Sequence, residues 1–360
     1  MKIRSSLLCF MLIFSFLTSI LTVTQPTEAS SQSSRDRRDR DQDKDRRDRR
    51  DRIDDRDSQD IEFGRDERRR GRFDDDYYDD NLIYLGYRAV NAERILLSSW
   101  DGNRWSASFP VEEAFSDFGP ALYRDRDTLY VAYKGRNTNK VFIKTYREGI
   151  RGGRGSWSRE ESVGDAQTSD SPSLTFYRGQ LYIAYKGVRT NNIYIRSYDG
   201  RRWSGELKVP GSESRTAPSL ATCRGELYVA YRGEDSNKIY LRSFNGSTWS
   251  SENRIPDSRT IDTPSIEGFQ KQLYITYRGE DSKNIYWRRF DGNRWSDEQK
   301  VGDSETSVAP SLFRLKGRLY LAYKGGSSTN IYVRVFDGRS WTSEQKVPEV
   351  KTADSPSIAG

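Results

Sequence analysis

Histidine is missing from this 360-residue sequence, and cysteine occurs only twice, as Cys9 and Cys223. The absence of histidine excludes Ser-His-Asp and Cys-His nucleophilic machinery in its usual form, together with metal sites built on imidazole. Cys9 lies in a hydrophobic N-terminal stretch, so a chain that loses this stretch keeps only Cys223. One thiol cannot close an internal disulfide or form a cysteine zinc site. We therefore expect a fold held by packing alone, with no metal and no cofactor.

A strong charge of one sign is also absent, since 60 basic residues face 53 acidic ones and the formal net charge is +7. So small an excess over a long chain permits weak attraction to acidic surfaces but does not require a nucleic-acid partner. We therefore expect none.

The N-terminus has the features of a secretory signal. Lys2 and Arg4 precede an apolar stretch from Leu7 to Val23, and Pro26 to Ala29 offers a cleavage point. The alternative is a signal anchor that stays in the membrane, but the stretch is short and rich in Ser and Thr for a spanning helix. Residues 1–29 thus predict a signal peptide, a secreted or cell-surface protein, and no stable membrane insertion after cleavage.

Residues 30–81 form a second region of distinct composition. Arg35 to roughly Asp57 alternates Arg and Asp with almost no apolar side chain. Such a segment cannot bury enough surface to offset its ordering entropy. We interpret this region as a disordered linker; electrostatic adhesion to a charged surface or polysaccharide is the alternative.

From Leu82 onward the sequence repeats. Three markers recur in phase, with steps of 46 residues and one step of 52 between the first and third copies. The tyrosines are Tyr84, Tyr130, Tyr182, Tyr228, Tyr274 and Tyr320; the tryptophans are Trp105, Trp157, Trp203, Trp249, Trp295 and Trp341; the prolines are Pro120, Pro172, Pro218, Pro264, Pro310 and Pro356. The extra residues fall in the insertion between Arg147 and Gly155.

Each copy divides into four strand-like runs, A to D, separated by turn signals. In one copy they are Ser219–Cys223, Leu227–Tyr231, Ile239–Phe244 and Trp249 to about Ile255. Four short strands per repeat of this length predict a propeller blade. The sequence ends on a run that matches strand A, whereas the first copy has only B, C and D. Residues 82–360 therefore predict an all-β, six-bladed β-propeller of four-stranded antiparallel blades, closed by pairing the C-terminal strand with the N-terminal blade.

Chain direction divides the loops between two faces. The A–B and C–D turns share one face, and the B–C and D–A loops share the other. Asp-Gly or Asn-Gly opens most C–D turns, as in tight hairpins. The tryptophan three residues after this glycine is expected to pack between blades.

The B–C face carries a recurring set of aromatic, cationic and amide side chains. These types suit sugars, which need a flat aromatic surface and a few fixed hydrogen-bonding groups. A cation lying over a tyrosine, or a hydrogen-bonded loop brace, explains the same pattern, and repetition does not separate the two. The candidate sugar-binding residues are Tyr185, Lys186, Asn191, Tyr194, Tyr231, Arg232, Asn237, Tyr240, Tyr277, Arg278, Asn284, Tyr286, Tyr323, Lys324, Asn330 and Tyr332.

The run Leu319 to Gly325, followed by Asn330 to Tyr332 and Phe336 to Thr342, resembles bacterial and fungal propeller lectins of the Photorhabdus and Psathyrella velutina type. The resemblance covers roughly residues 82–360. It implies multivalent binding of fucose, N-acetylhexosamine or related sugars in pockets between blades. Those lectins have seven blades, whereas six are counted here. The C–D turn also looks like the Asp-box of sialidases, but no single copy carries the arginine cluster and Tyr–Glu pair of a sialidase site.

These observations favour a secreted, multivalent, non-enzymatic lectin whose partners are glycans or glycoconjugates. The oligomeric state is open. A protein-interaction or surface-adhesion scaffold is the alternative, with Trp100, Trp287 and the insertion as copy-specific features. A sialidase-like glycosidase is the third possibility; it would need a single pocket with a carboxyl group of raised pKa.

Overall fold

The computed structural model describes residues 81–149 and 155–360, and these form six antiparallel sheets arranged as blades, five of four strands and one with an additional short strand. The predicted signal peptide and nearly all of the predicted linker lie outside the described residues, as does the middle of the insertion. The all-β fold and the six blades are confirmed.

Strands are numbered in chain order and keep the letters A to D within a blade. The A strands are β4 (Ala121–Asp125), β9 (Ser173–Tyr177), β13 (Ser219–Cys223), β17 (Ser265–Phe269), β21 (Ser311–Leu315) and β25 (Ser357–Ala359). The B strands are β1 (Ile83–Arg88), β5 (Thr128–Lys134), β10 (Gln180–Lys186), β14 (Glu226–Arg232), β18 (Gln272–Arg278) and β22 (Arg318–Lys324).

The C strands are β2 (Arg94–Trp100), β6 (Lys140–Arg147), β11 (Asn192–Tyr198), β15 (Lys238–Phe244), β19 (Asn284–Phe290) and β23 (Asn330–Phe336). The D strands are β3 (Phe109–Phe115), β8 (Glu161–Gln167), β12 (Leu207–Glu213), β16 (Asn253–Arg259), β20 (Gln299–Glu305) and β24 (Gln345–Lys351). A short extra strand, β7 (Ser156–Trp157), pairs with the end of β6.

Blade one is assembled from both ends of the repeat region. Strand β25 pairs antiparallel with β1 through Tyr84 and Ala359, Leu85 and Ile358, and Gly86 and Ser357. Blade two then comprises β4–β8, and blades three to six follow with four strands each. The predicted closure by the C-terminal strand is confirmed.

The A strands form the inner ring. In five of the six junctions between blades, a serine at the start of one A strand accepts a hydrogen bond from a backbone N–H of the next A strand. The donors and acceptors are Leu122 to Ser357, Leu220 to Ser173, Ile266 to Ser219, Leu312 to Ser265 and Ile358 to Ser311. Ala121 occupies the equivalent position in the remaining junction.

Apolar side chains from two successive blades form each core cluster. Between blades two and three, Val141 and Val163 of blade two pack with Leu181, Ile183 and Tyr185 of blade three. The core is thus six sheet-on-sheet interfaces arranged around the axis, which is why surface grooves lie at the junctions.

The predicted start of strand D is wrong. Trp249 forms an isolated bridge with Phe244, and β16 begins only at Asn253. The turn before it has the positive φ expected of a tight turn, at Gly246, and the Asn245 N–H donates to the Thr248 carbonyl at 3.2 Å. The Asn245 carboxamide oxygen accepts the backbone N–H groups of Ser247 and Thr248, each at 2.9 Å, and this folds Trp249 back onto strand C.

Candidate functional site

The first tyrosine of each predicted sugar-binding set is buried. Tyr185, Tyr231, Tyr277 and Tyr323 are 0–1% exposed, so these rings offer no surface to a ligand. Each hydroxyl donates to a glutamate in the C–D loop of its own blade, at 2.6 Å in the case of Tyr185 and Glu206. The other acceptors are Glu252, Glu298 and Glu344.

An arginine completes each of these clusters. Arg196 donates to the Tyr185 hydroxyl at 3.0 Å and to the Ser204 carbonyl at 2.9 Å, and it forms an ion pair with Asp165 of the preceding blade. Burial and the Glu206 carboxylate raise the pKa of Tyr185, so the phenol stays protonated. The cluster therefore braces one blade against the next.

The second tyrosine of each set is partly exposed and covers a glycine. Tyr194 stacks on Tyr185 with ring centroids 6.1 Å apart. A Cβ atom added at Gly187 would lie 2.9 Å from the Tyr194 ring, which explains the glycine of the Tyr-Lys-Gly motif. Tyr240, Tyr286 and Tyr332 lie in the same way over Gly233, Gly279 and Gly325.

The cations of the sets reach the D–A loops. Lys186 donates to Ser169 Oγ at 3.2 Å, Arg278 pairs with Asp262 at 2.9 Å, and Lys324 donates to the Ala353 carbonyl at 3.4 Å. Arg232 donates to the Ile261 carbonyl at 2.8 Å and to the Asn237 side chain.

The asparagines act mostly through the backbone. The Asn191 carbonyl accepts the Ser214 N–H at 2.7 Å, and the Asn284 and Asn330 carbonyls accept glycine N–H groups at 3.0 Å. Asn237 differs, because its amide also donates to Glu280 of the next blade. These contacts match the loop-brace interpretation. Sugar binding by the sixteen residues stays a prediction, and it concerns the partly exposed members.

The opposite face of the ring carries the A–B and C–D turns, with surface grooves at junctions between blades. The tryptophan after the C–D turn packs there between blades: Trp203 lies against a cluster from blades two and three, and Trp341 against one from blades five and six. This part of the sequence prediction is confirmed. Trp287, taken as a candidate surface feature, is 7% exposed and fills the five–six junction, with its ring 5.2 Å from that of Phe336.

Side chains of the A–B turns cover three of these grooves. Arg178, Arg224 and Gln270 each extend over the glycine of the next blade's C–D turn, so that a Cβ atom added at Gly246, Gly292 or Gly338 would meet them. The guanidinium of Arg224 also donates to the Asp291 carbonyl of that turn. The three–four, four–five and five–six junctions are closed in this way.

The junction of blades six and one is open. Lys316 holds the position of Arg224 but turns aside and donates to Asn81 Oδ1 at 2.8 Å. Among the residues that the structure describes, no atom other than those of its chain neighbours lies within 4 Å of a Cβ added at Gly102, the turn glycine of blade one. The resulting cleft measures about 680 Å³. At the two–three junction, where the turn glycine is also uncovered, the cavity is about 110 Å³.

Two features of the repeat bear on this space. Blade six has Val333 at a position where blade five has Trp287 and the earlier blades have leucine or isoleucine. Blade one ends strand C on Trp100, whereas the other blades use Tyr or Phe there. The ring centroids of Trp100 and Trp105 lie 5.6 Å apart, and these two rings form one wall of the cleft. Tyr320 forms part of the opposite wall. Polar groups at the rim include Lys316, Arg318 and Gln345.

This cleft was not predicted from the sequence, because the C–D tryptophans were explained as packing alone. The available signal was Trp100 of copy one, at a position where the other copies have tyrosine or phenylalanine. The sequence does not show which side chains of blade six face which side chains of blade one, because this depends on how the two sheets pack.

A second space, of about 160 Å³, lies among the A strands. Burial raises the pKa of Asp170 to about 6, and the charges of Asp354 and Lys186 act in opposite directions on it. Burial also raises the pKa of Glu267 to about 7, against the Arg314 guanidinium at 3.5 Å.

Similar folds are found among solved structures. The SapL1 lectin in complex with alpha methyl fucoside has a TM-score of 0.59 and 14% identity, covering 76% of this chain and 95% of that chain. The Aleuria aurantia lectin, in complex with Fucalpha1-6GlcNAc, has a TM-score of 0.58 and 13% identity, covering 76% and 94%. The fold is that of the six-bladed propeller lectins.

Propeller enzymes share the architecture too. An α-L-arabinofuranosidase from Fusarium graminearum has a TM-score of 0.54 and 14% identity, covering 72% of this chain and 90% of that chain. Identities this low establish the fold alone. No family model and no curated protein matches the chain.

Within residues 81–149 and 155–360, no helix is long and apolar enough to cross a membrane. The same residues contain no cluster of three or more His, Cys, Asp or Glu side chains suited to a metal ion.

Proposed function

We propose that this protein is a carbohydrate-binding protein without catalytic activity, and that its principal site is the cleft between blades six and one. The observation that carries the proposal is the pairing of two tryptophan rings with polar side chains around an open space of about 680 Å³. Ligand sites are typically concave, of roughly 300–1,000 Å³, and combine apolar walls with a few polar groups.

The chemistry of the walls fits a sugar ring. The indole surfaces of Trp100 and Trp105 can cover the apolar face of a pyranose, while rim groups such as Gln345 hydrogen-bond its hydroxyls. The similar lectins, whose structures contain fucosides, support this proposal through their shared fold. Fucose and N-acetylhexosamines are the neutral sugars to test first.

The number of binding sites per ring depends on how many junctions between blades are open. Multivalent binding raises avidity by roughly 10²–10⁴ when several sites engage one surface. Since three junctions are closed by Arg178, Arg224 and Gln270, we expect fewer than six sites per ring, with the six–one cleft the strongest.

Binding is tested by a glycan array followed by titration calorimetry on residues 30–360. We expect Trp100→Ala to weaken sugar binding at least tenfold and Trp100→Phe to keep much of it, since other blades carry phenylalanine there. Trp203→Ala, at the small two–three junction, is the matched control and should bind as the parent does. Absence of binding to every sugar at every density overturns the proposal, as does a Trp100→Ala variant with unchanged affinity.

Secretion belongs to the same proposal and rests on the leader sequence alone. A mature N-terminus at Ser30, read by mass spectrometry of protein recovered from the medium, supports it. An uncleaved, membrane-retained chain contradicts it.

A glycosidase is the second candidate, because Asp170 has a raised pKa next to Asp354. Turnover of chromogenic glycosides that disappears in Asp170→Asn would establish this candidate. If the protein binds sugar but turns over none of these substrates, the glycosidase candidate is wrong and the lectin proposal stands.

A further inference from the structure

The six–one cleft differs from the other grooves in charge as well as in size. Lys316 lies in the A–B turn of blade six, and Arg318 opens the next strand with its side chain on the sheet face that carries Tyr320 and Val335. Both line the cleft. Among the described residues, neither forms an ion pair with a carboxylate; the recorded partner of Lys316 is the uncharged Asn81 amide.

The acidic side chain in the lining is already occupied. One carboxylate oxygen of Asp337 accepts the backbone N–H groups of Arg339 and Ser340, each at 2.8 Å, within its own turn. Asp337 thus serves the C–D turn, and among the described residues that line the cleft it is the single acidic side chain against two cations.

This pair of cations is specific to blade six. The equivalent positions hold Gln270 and Gln272 in blade five, Arg224 and Glu226 in blade four, and Arg178 and Gln180 in blade three. In blades three and four the first cation covers the groove instead of lining it. A purely structural role in the repeat does not require two positive charges here, because blade five folds with two amides.

We propose that the six–one cleft selects a carboxylate-bearing saccharide, such as a uronate or a sialate, over its neutral counterpart. This inference rests on the proposed sugar binding and adds the class of sugar. Trp100 and Trp105 cover the ring, and Lys316 and Arg318 contact the carboxylate. A guanidinium can engage a carboxylate through two parallel N–H bonds, and such charge-assisted bonds are about twice as strong as neutral ones.

The test compares acidic and neutral ligands of equal size. Residues 30–360 are titrated with trigalacturonic acid against galactotriose, and with 3′-sialyllactose against lactose, at low and high salt. We expect at least one acid to bind about tenfold more tightly than its neutral partner. The difference should shrink at high salt, because salt screens interactions between partly exposed charges.

The double variant Lys316→Gln, Arg318→Gln installs the residues that blade five uses at these positions. It should lose the roughly tenfold preference for acids and keep its affinity for the neutral sugars. The control Arg254→Gln, Lys300→Gln removes two exposed charges from D strands of blades four and five and should change neither affinity.

Equal affinity for acidic and neutral ligands overturns this inference while leaving sugar binding intact, and so does a double variant that keeps the acid preference. Loss of acid binding in the control double variant also overturns it, because net charge alone would then explain the preference. If no saccharide binds at all, the proposed function falls with it.

Discussion

At the scale of single residues, Glu267 is a carboxyl group whose buried surroundings disfavour its charged form. It lies in an A strand, and burial raises its pKa to about 7 even though Arg314 is 3.5 Å away. A carboxyl group that holds its proton more tightly in the folded state than in the unfolded chain lowers stability when pH rises between the two pKa values. Glu267 therefore destabilises the fold above pH 4.5, and fully so above about pH 7.

Replacing this carboxyl group by an amide should remove the penalty. We expect Glu267→Gln to match the parent at pH 4 and to exceed its free energy of unfolding at pH 8 by about 1–3 kcal/mol. Urea unfolding at pH 4, 6 and 8 measures this, with the exposed Asp235→Asn as control. A variant less stable than the parent at pH 8 would show that the ionised group is stabilised in the fold.

Gly233 provides a second residue-scale prediction. A Cβ atom there would lie 2.7 Å from the Tyr240 ring and 2.9 Å from Ser236 Oγ. We expect Gly233→Ala to destabilise the protein by about 1–3 kcal/mol through overpacking. Gly205→Ala is the control, because nothing lies within 4 Å of a Cβ at that position. Equal thermal melting of the two variants would contradict the packing explanation.

The same tyrosine–glycine pair shows what sequence reasoning achieves at this scale. It found the recurring residues, since the repeat displays them directly. It did not determine which tyrosine of each set is buried, because Tyr231 and Tyr240 are chemically alike and only the sheet geometry distinguishes them.

At the scale of elements, the ring of serines around the axis holds successive A strands together. Ser357 Oγ accepts the Leu122 N–H at 3.0 Å and so ties the last strand to blade two. Ser173 makes the same bond, of the same length, between blades three and four.

We expect Ser357→Ala to lower the free energy of unfolding by about 1–3 kcal/mol, because it leaves a buried N–H without a partner. Ser173→Ala should cost a similar amount. Ala121→Ser should add the missing sixth bond, to Leu174, and gain about 0.5–1 kcal/mol. Chemical denaturation of the three variants decides; a destabilised Ala121→Ser would show that the sixth junction has no room for the bond.

Strands A, B and C were predicted to within about one residue in the copy that was divided, whereas strand D was not. Its burial follows a period of three, as in the exposed-exposed-buried pattern of Leu207–Glu213. The cause is a bulge, marked by a register shift and by positive φ at Gly211 and, in another D strand, Asp257. Sequence methods look for alternation with a period of two, and a bulge removes it.

At the scale of the whole molecule, closure depends on three residues of β25. Removing residues 355–360 should expose the edge of β1 and the cluster that contains Ile358. Burial of an isoleucine alone contributes about 1.5–3 kcal/mol, and open edges pair with other chains. We expect a lower melting temperature and oligomers in size-exclusion chromatography. A truncated protein that stays monomeric with an unchanged melting temperature would contradict the importance of this closure.

The number and closure of the blades were predictable because in-phase markers count repeats without any three-dimensional information. The differences between the six junctions, by contrast, were not predictable from the sequence. They depend on which side chains of blade six meet which of blade one, and these are more than 200 positions apart in the sequence, as are Lys316 and Asn81.

The backbone at Gly360 adjoins that of Leu82, since a Cβ atom added to Gly360 would lie 2.7 Å from the Leu82 carbonyl oxygen. The two ends of the repeat region therefore meet within blade one, and the ring of blades is continuous across this point. A circular permutant that joins these two points by a short peptide and opens at another A–B turn, such as Gly179, should fold to the same six blades. Such a permutant would separate two features that adjoin in this chain, the pairing of β25 with β1 and the open cleft between blades six and one.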